Sequence, residues 1–190
     1  MTTRSALRVR GQPHWRRLRV PAGGLTVLLV GMGWALAAGY RINLSPSEPR
    51  GLWRVLPVRA LAGSLVRGDT VGFCAPVRPY PFLESGICRN GLMPFLKQIV
   101  GIPGDRIAET DRGVTLNGQR LPHSRPRAQS IRKGVRLPQW RGRITLGPGQ
   151  YWTYGANDPR LSFDSRYWGP LGRARIRFIA HPILIGKGAS

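Results

Sequence analysis

From residue 52 onward, glycine and proline interrupt this chain so often that a long helix has no room to form. Between the breaks lie short apolar segments, several of them alternating in polarity. They are GLWRVLPV at 51–58, DTVGFCAP at 69–76, FLKQIVGI at 95–102, DRIAETD at 105–111, GVTLNGQRL at 113–121, GRITLGPGQYWTYG at 142–155 and RARIRFIAHPIL at 173–184. A period of two bounded by turn residues predicts strands. Asn117-Gly118 is a hairpin-turn signal, and GPGQ at 147–150 stands before a further strand. No segment past residue 52 carries helical periodicity over more than about three turns. The expected fold is mainly β, a domain of curled antiparallel sheets around one core. Residues 120–140, RLPHSRPRAQSIRKGVRLPQW, are polar, basic and interrupted by proline, which predicts an exposed insertion. There is no internal repeat.

Residues 20–40, VPAGGLTVLLVGMGWALAAGY, hold no charge over 21 positions, a length suited to crossing a bilayer as a helix. Six arginines precede the run, at 4, 8, 10, 16, 17 and 19, with no acid among them. The pattern predicts a basic cytoplasmic N-terminus over 1–19, a single transmembrane helix over 20–40 and an extracytoplasmic domain over 41–190. The small residues of ALAAGY keep a cleavable signal peptide as the rival reading. The net charge of +22 is almost entirely arginine; the lysines are Lys97, Lys133 and Lys187. The arginines are scattered singly and in pairs, without zinc-finger spacing, a helix-turn-helix pattern or aromatic-basic repeats. The expected partner of that charge is therefore a phospholipid surface rather than nucleic acid. Cys74 and Cys88 can form one bridge in an oxidising compartment, although spacing alone does not show that they meet. No histidine or third cysteine near them supports a metal site, and no cofactor is expected.

Three stretches carry candidate chemistry. LSPSEPRGLW at 44–53 is a proline-stiffened loop presenting two serines, Ser45 and Ser47. FLKQIVGIPGD at 95–105 holds Lys97 among apolar neighbours, in a chain that otherwise uses arginine for nearly all its positive charge. Burial of a lysine lowers its pKa toward neutrality, which arginine does not permit. A neutral amine beside a serine hydroxyl is a general base, activating the serine without histidine. His14, His123 and His181 fall in no compact motif, and no GxSxG elbow is present. The third stretch, YGANDPRLSFDSRYWG at 154–169, is dense in hydrogen-bonding groups. Ser162, Asp164 and Arg166 suit a supporting role there, with an Asp164–Arg166 pair stiffening one wall. Asp158 divides evenly between that role and a simple turn.

Together, INLSPSEPRGLW, FLKQIVGIPGD and LSFDSRYWG, in that order, resemble the type I signal peptidases, the leader peptidase family of serine/lysine enzymes. The likeness runs over about residues 40–182 and is strongest to the conjugative-transfer, TraF-type branch. It implies Ser47 as nucleophile and Lys97 as general base. It further implies an oxyanion site made by the Ser45 hydroxyl and the Ser47 backbone N–H, with Ser162, Asp164 and Arg166 in support. Asn43 is similar to the branch's polar residue ahead of the serine motif. Two departures stand out. Glu48 replaces the methionine that follows the nucleophile in ordinary leader peptidases, and Gly-Ala-Asn at 155–157 stands where they tend to have Gly-Asp-Asn.

The resemblance implies a membrane endopeptidase acting on exported precursor proteins at the outer face of the bacterial inner membrane. Pilin-like precursors and conjugation or type IV secretion components are the expected partners. A general housekeeping leader peptidase is the alternative within the class. A non-catalytic, membrane-anchored assembly component of a secretion or conjugation system is the alternative outside it.

Overall fold

The structure, a computed structural model, describes residues 16–60, 63–131, 134–155 and 157–186, with side chains in the first helix described from residue 23 onward. Most of the basic N-terminus expected over 1–19, residues 132–133 of the insertion and Ala156 lie outside the described residues. The chain divides into two compact units, Met1–Ala38 and Gly39–Ser190.

The N-terminal unit contains helix α1, Arg16–Ala37. The membrane-spanning helix expected over 20–40 is not found: among the described residues no helix is long and apolar enough to cross a membrane. The described side chains of α1 cover 23–37 and include glycines at 23, 24, 31 and 33. The chain then turns at Ala38–Gly39, and Tyr40, expected inside the helix, opens a strand instead. The expectation of a single-pass inner-membrane protein with a periplasmic domain falls with that helix.

The second unit is built from antiparallel strands, as the alternating segments predict. Strands β1 (Tyr40–Asn43), β2 (Gly51–Pro57), β3 (Thr70–Phe73), β4 (Phe95–Gly101), β9 (Gln150–Tyr154), β10 (Leu171–Gly172) and β11 (Ile176–Ile185) form one sheet, in the order β1-β2-β11-β3-β4-β9-β10. Strands β5 (Arg106–Thr110), β6 (Gly113–Leu116), β7 (Gln119–Arg120) and β8 (Gly142–Thr145) form a second, in the order β7-β6-β5-β8. The β6–β7 turn is the Asn117-Gly118 pair, with φ of 51° and 86°, the left-handed values a tight hairpin requires. One short helix, α2 (Ser165–Trp168), is capped by Asp164, whose carboxylate accepts from the Arg166 backbone N–H.

Alternation along β4 explains how a lysine comes to be buried. Lys97, Ile99 and Gly101 point to the buried side of that strand, and Lys97 pairs in register with Val71 of β3. Val71, Phe73, Ile99, Leu171, Ile176 and Ile179 form the main core. A second core joins the small sheet to β9 through Ile107, Val114, Leu146 and Trp152. The third is aromatic: Tyr80, Phe163 and Tyr167 with Leu137, against which Phe82, Phe95 and Trp168 pack. Cys74 and Cys88 are joined in a disulfide, with Cα atoms 5.6 Å apart, closing the loop that carries Tyr80 and Phe82. The 120–140 segment is largely exposed but anchored at three points, with Ser124, Pro126 and Leu137 buried.

Candidate active site

The loop between β1 and β2 holds Ser45 and Ser47, and Pro46 and Pro49 restrict its backbone. Asparagine side chains hold its carbonyls. Asn43 Nδ2 donates to the carbonyls of Ser45 at 3.2 Å, Glu48 at 3.2 Å and Pro49 at 3.0 Å, while Asn43 Oδ1 accepts from the Ser45 N–H at 3.1 Å. Asn157 Nδ2 donates to the Pro46 carbonyl at 2.8 Å, and the Asn157 backbone N–H donates to the Ser47 carbonyl at 3.2 Å. Every carbonyl from residue 45 to 49 is thus engaged.

This loop lies against β4. The Lys97 amine donates to Ser47 Oγ at 2.6 Å and to the Leu96 carbonyl at 2.9 Å. Ser45 Oγ and Ser47 Oγ are 3.0 Å apart, either being able to donate. Ser47 and Lys97 are both buried, at 4% and 5% exposure, so water is nearly excluded from the contact. Burial lowers the Lys97 pKa from its ordinary range; the negative charges of Glu48 and Asp164 pull it back up, and Arg166 lowers it. The arrangement can do one thing readily, which is to pass a proton between the Ser47 hydroxyl and a neutral amine.

The opposite wall comes from the segment around α2. Gly155 lies between two serines: a Cβ added there would stand 2.2 Å from Ser162 Oγ and 3.4 Å from Ser47 Cβ. Only glycine fits, and its N–H donates to Asp164 Oδ2 at 3.1 Å. Ser162 Oγ is buried and has no hydrogen-bond partner among the described residues. Asp164 and Arg166 are 0% and 1% exposed and paired through both carboxylate oxygens, at 2.8 and 2.9 Å. Arg166 also donates to the carbonyls of Pro159, Ser162 and His123 and lies over the rings of Tyr154 and Tyr167. Burial works against its charge, yet the Asp164 carboxylate keeps the guanidinium pKa above its ordinary value.

Ser45, Ser47, Lys97, Ser162, Asp164 and Arg166 are thus gathered into one region. The Asp158 carboxylate accepts from the Arg160 N–H within its own turn. Three contributors went unassigned in the sequence: Asn157, Gly155 and the buried Glu48. Their signals were the hydrogen-bonding density of 154–169 and an acid in place of an apolar residue after Ser47. Glu48 is 2% exposed, and its Oε1 accepts from the Gln98 N–H at 3.2 Å, beside Lys97. Because its charge favours protonated Lys97, Glu48→Gln is expected to lower the Lys97 pKa and move the acidic limb of kcat/KM against pH to lower pH. An unmoved limb would exclude that coupling.

The family model described as signal peptidase, peptidase S26 matches residues 14–183, so this chain belongs to that family of peptidases. Its likeness to the conjugal-transfer members extends over nearly the whole chain. It is 30% identical over 177 residues to the conjugal transfer protein TraF of Agrobacterium tumefaciens (strain 15955), covering 90% of this chain and 96% of the relative. It is 32% identical over 165 residues to a plasmid transfer protein TraF of Escherichia coli, covering 85% and 91%. Against signal peptidase I of Bacillus caldolyticus the identity is 34% over 83 residues, covering 40% of this chain and 44% of that one.

Proposed function

We propose that this chain is a serine endopeptidase that cleaves exported precursor proteins, with Ser47 as nucleophile and neutral Lys97 as general base, dedicated to a conjugative-transfer system. The observation that carries the proposal is the buried 2.6 Å contact between Lys97 Nζ and Ser47 Oγ, two residues 50 positions apart in sequence. With one amine hydrogen bonded to the Leu96 carbonyl, the amine once neutral is free to turn its lone pair to the Ser47 hydroxyl.

In the proposed reaction Lys97 takes the Ser47 proton as Oγ bonds to the scissile carbonyl carbon. The Ser45 hydroxyl and the Ser47 N–H stabilise the oxyanion. Protonated Lys97 then donates to the departing amine as the C–N bond breaks, leaving an ester on Ser47. Water gives a proton to Lys97 and its oxygen to the ester carbonyl, and Lys97 returns the proton to Ser47 as the acid leaves. Ser162 and the Asp164–Arg166 pair support the wall beyond Gly155. Strand β1 is one edge of the large sheet and runs into the nucleophile loop, so an extended substrate can add there as a further strand.

The dedicated role rests on near full-length similarity to TraF proteins and on Glu48 after the serine. A non-catalytic assembly role would give no reason to bury a lysine against a serine. The test is cleavage of co-expressed pilin-like and ordinary secretory precursors, in cells lacking another peptidase for them, by the wild-type protein and S47A. Expected is cleavage of the pilin-like precursor by the wild type and none by S47A. Cleavage by S47A would exclude the nucleophile, and preference for ordinary secretory precursors would favour the housekeeping role.

A further inference from the structure

We propose that Asn157 is a positioning residue that aims the oxyanion donor of this site by locking the peptide plane between Pro46 and Ser47. The inference rests on the serine/lysine reading above and adds a residue to it. A trans peptide is planar, so its C=O and N–H point in opposite directions and turn together. The carbonyl of this plane belongs to Pro46 and is held by Asn157 Nδ2 at 2.8 Å. Its N–H belongs to Ser47 and has no hydrogen-bond partner among the described residues. Gripping one end of the plane therefore fixes the direction of the other.

The surrounding bonds make this grip specific. Asn157 binds the loop twice, its backbone N–H taking the Ser47 carbonyl at 3.2 Å, so the planes on both sides of Ser47 are held. Asn43 holds the carbonyls of Ser45, Glu48 and Pro49, but not that of Pro46. Proline at 46 has no N–H to anchor the loop from within. Without the Asn157 side chain, the 46–47 plane can rotate and bring the Pro46 carbonyl, an acceptor, toward the position where negative charge develops. Lys97 would keep its own contact to Ser47 Oγ, so the loss would fall on transition-state stabilisation rather than on proton transfer.

The experiment compares wild-type protein, N157A, N157D and S47A on a peptide spanning a cleaved pilin-like junction and on a peptide aldehyde of the same acyl-side sequence. Addition of Ser47 to the aldehyde forms a hemiacetal whose oxygen occupies the oxyanion position. N157A is expected to lose about 10²-fold in kcat with KM within threefold, and aldehyde affinity is expected to fall by a similar factor. N157D, nearly isosteric but with a carboxylate facing the carbonyl, is expected to lose at least as much, and in N157A, which changes no charge, the acidic limb set by Lys97 stays in place. The inference is overturned if either variant keeps kcat within threefold of wild type. It is also overturned if kcat, KM, the acidic limb and the unfolding midpoint all move together, as loss of a merely structural contact would cause. Cleavage retained by S47A would instead remove the underlying serine/lysine reading, so the two failures are distinguishable.

Discussion

Lys97→Met is expected to lower turnover by about 10³-fold or more while leaving the folded state at least as stable as the wild type. The methionine fills nearly the same volume without a group that must be desolvated. The amine it replaces is 5% exposed, with its pKa lowered chiefly by burial. Linkage adds a second readout. Between the lowered folded value and the ordinary lysine range, the unfolded chain binds one proton more than the folded chain, so wild-type stability rises with pH across that window. Lys97→Met removes that contribution. Lys97→Arg is expected to be equally inactive, because a guanidinium does not give up its proton near neutral pH. Turnover assays and urea unfolding at several pH values check these points. A K97M protein within tenfold of wild-type turnover would exclude Lys97 as the base.

Asp164→Ala carries the largest expected loss of stability. It strands the Arg166 guanidinium, 1% exposed, without its counter-charge, and such a change typically costs about 3–5 kcal/mol. It also removes the acceptor for the Gly155 N–H, so the glycine that leaves room between Ser47 and Ser162 loses its anchor. Activity is expected to fall with stability. The double replacement Asp164→Leu with Arg166→Met should recover much of the stability, since an apolar pair needs no desolvation, but not the activity. Urea midpoints and turnover of the single and double variants measure both effects; a D164A midpoint equal to wild type would refute the structural role assigned to the pair.

Much of the sheet was legible because its strands alternate or end at obvious turns. The segments at 69–76, 95–102 and 105–111 contain β3, β4 and β5, and Asn117-Gly118 makes the turn it signals. Strand β1 escaped because Tyr40–Asn43 follows an apolar run and has no alternation of its own; its partner β2 makes it a strand. Helix α2 has only four residues, too few for a period, and depends on its Asp164 cap and on packing against the aromatic core. The uncharged run before residue 40 misleads in the other direction: it lacks charge over a membrane's length, yet no described helix is long and apolar enough to cross one. In the site, chemical type marked Lys97 and the serines. The function of Asn157 depends on a contact 111 positions away, which local sequence cannot express.

Strands β2 and β3 lie close in sequence, yet they do not pair with each other; β11, the last strand, pairs with both. The two partners of the proposed dyad fall on opposite sides of that seam, Ser47 in the loop before β2 and Lys97 on β4 beyond β3. During synthesis the hairpin bearing the serine and the strand bearing the lysine would remain unjoined until residues 176–185 emerge and insert between them. Pairings this distant along a chain form slowly. A chain cut before Ile176 would keep every side chain of the proposed site while lacking the strand that joins its two halves.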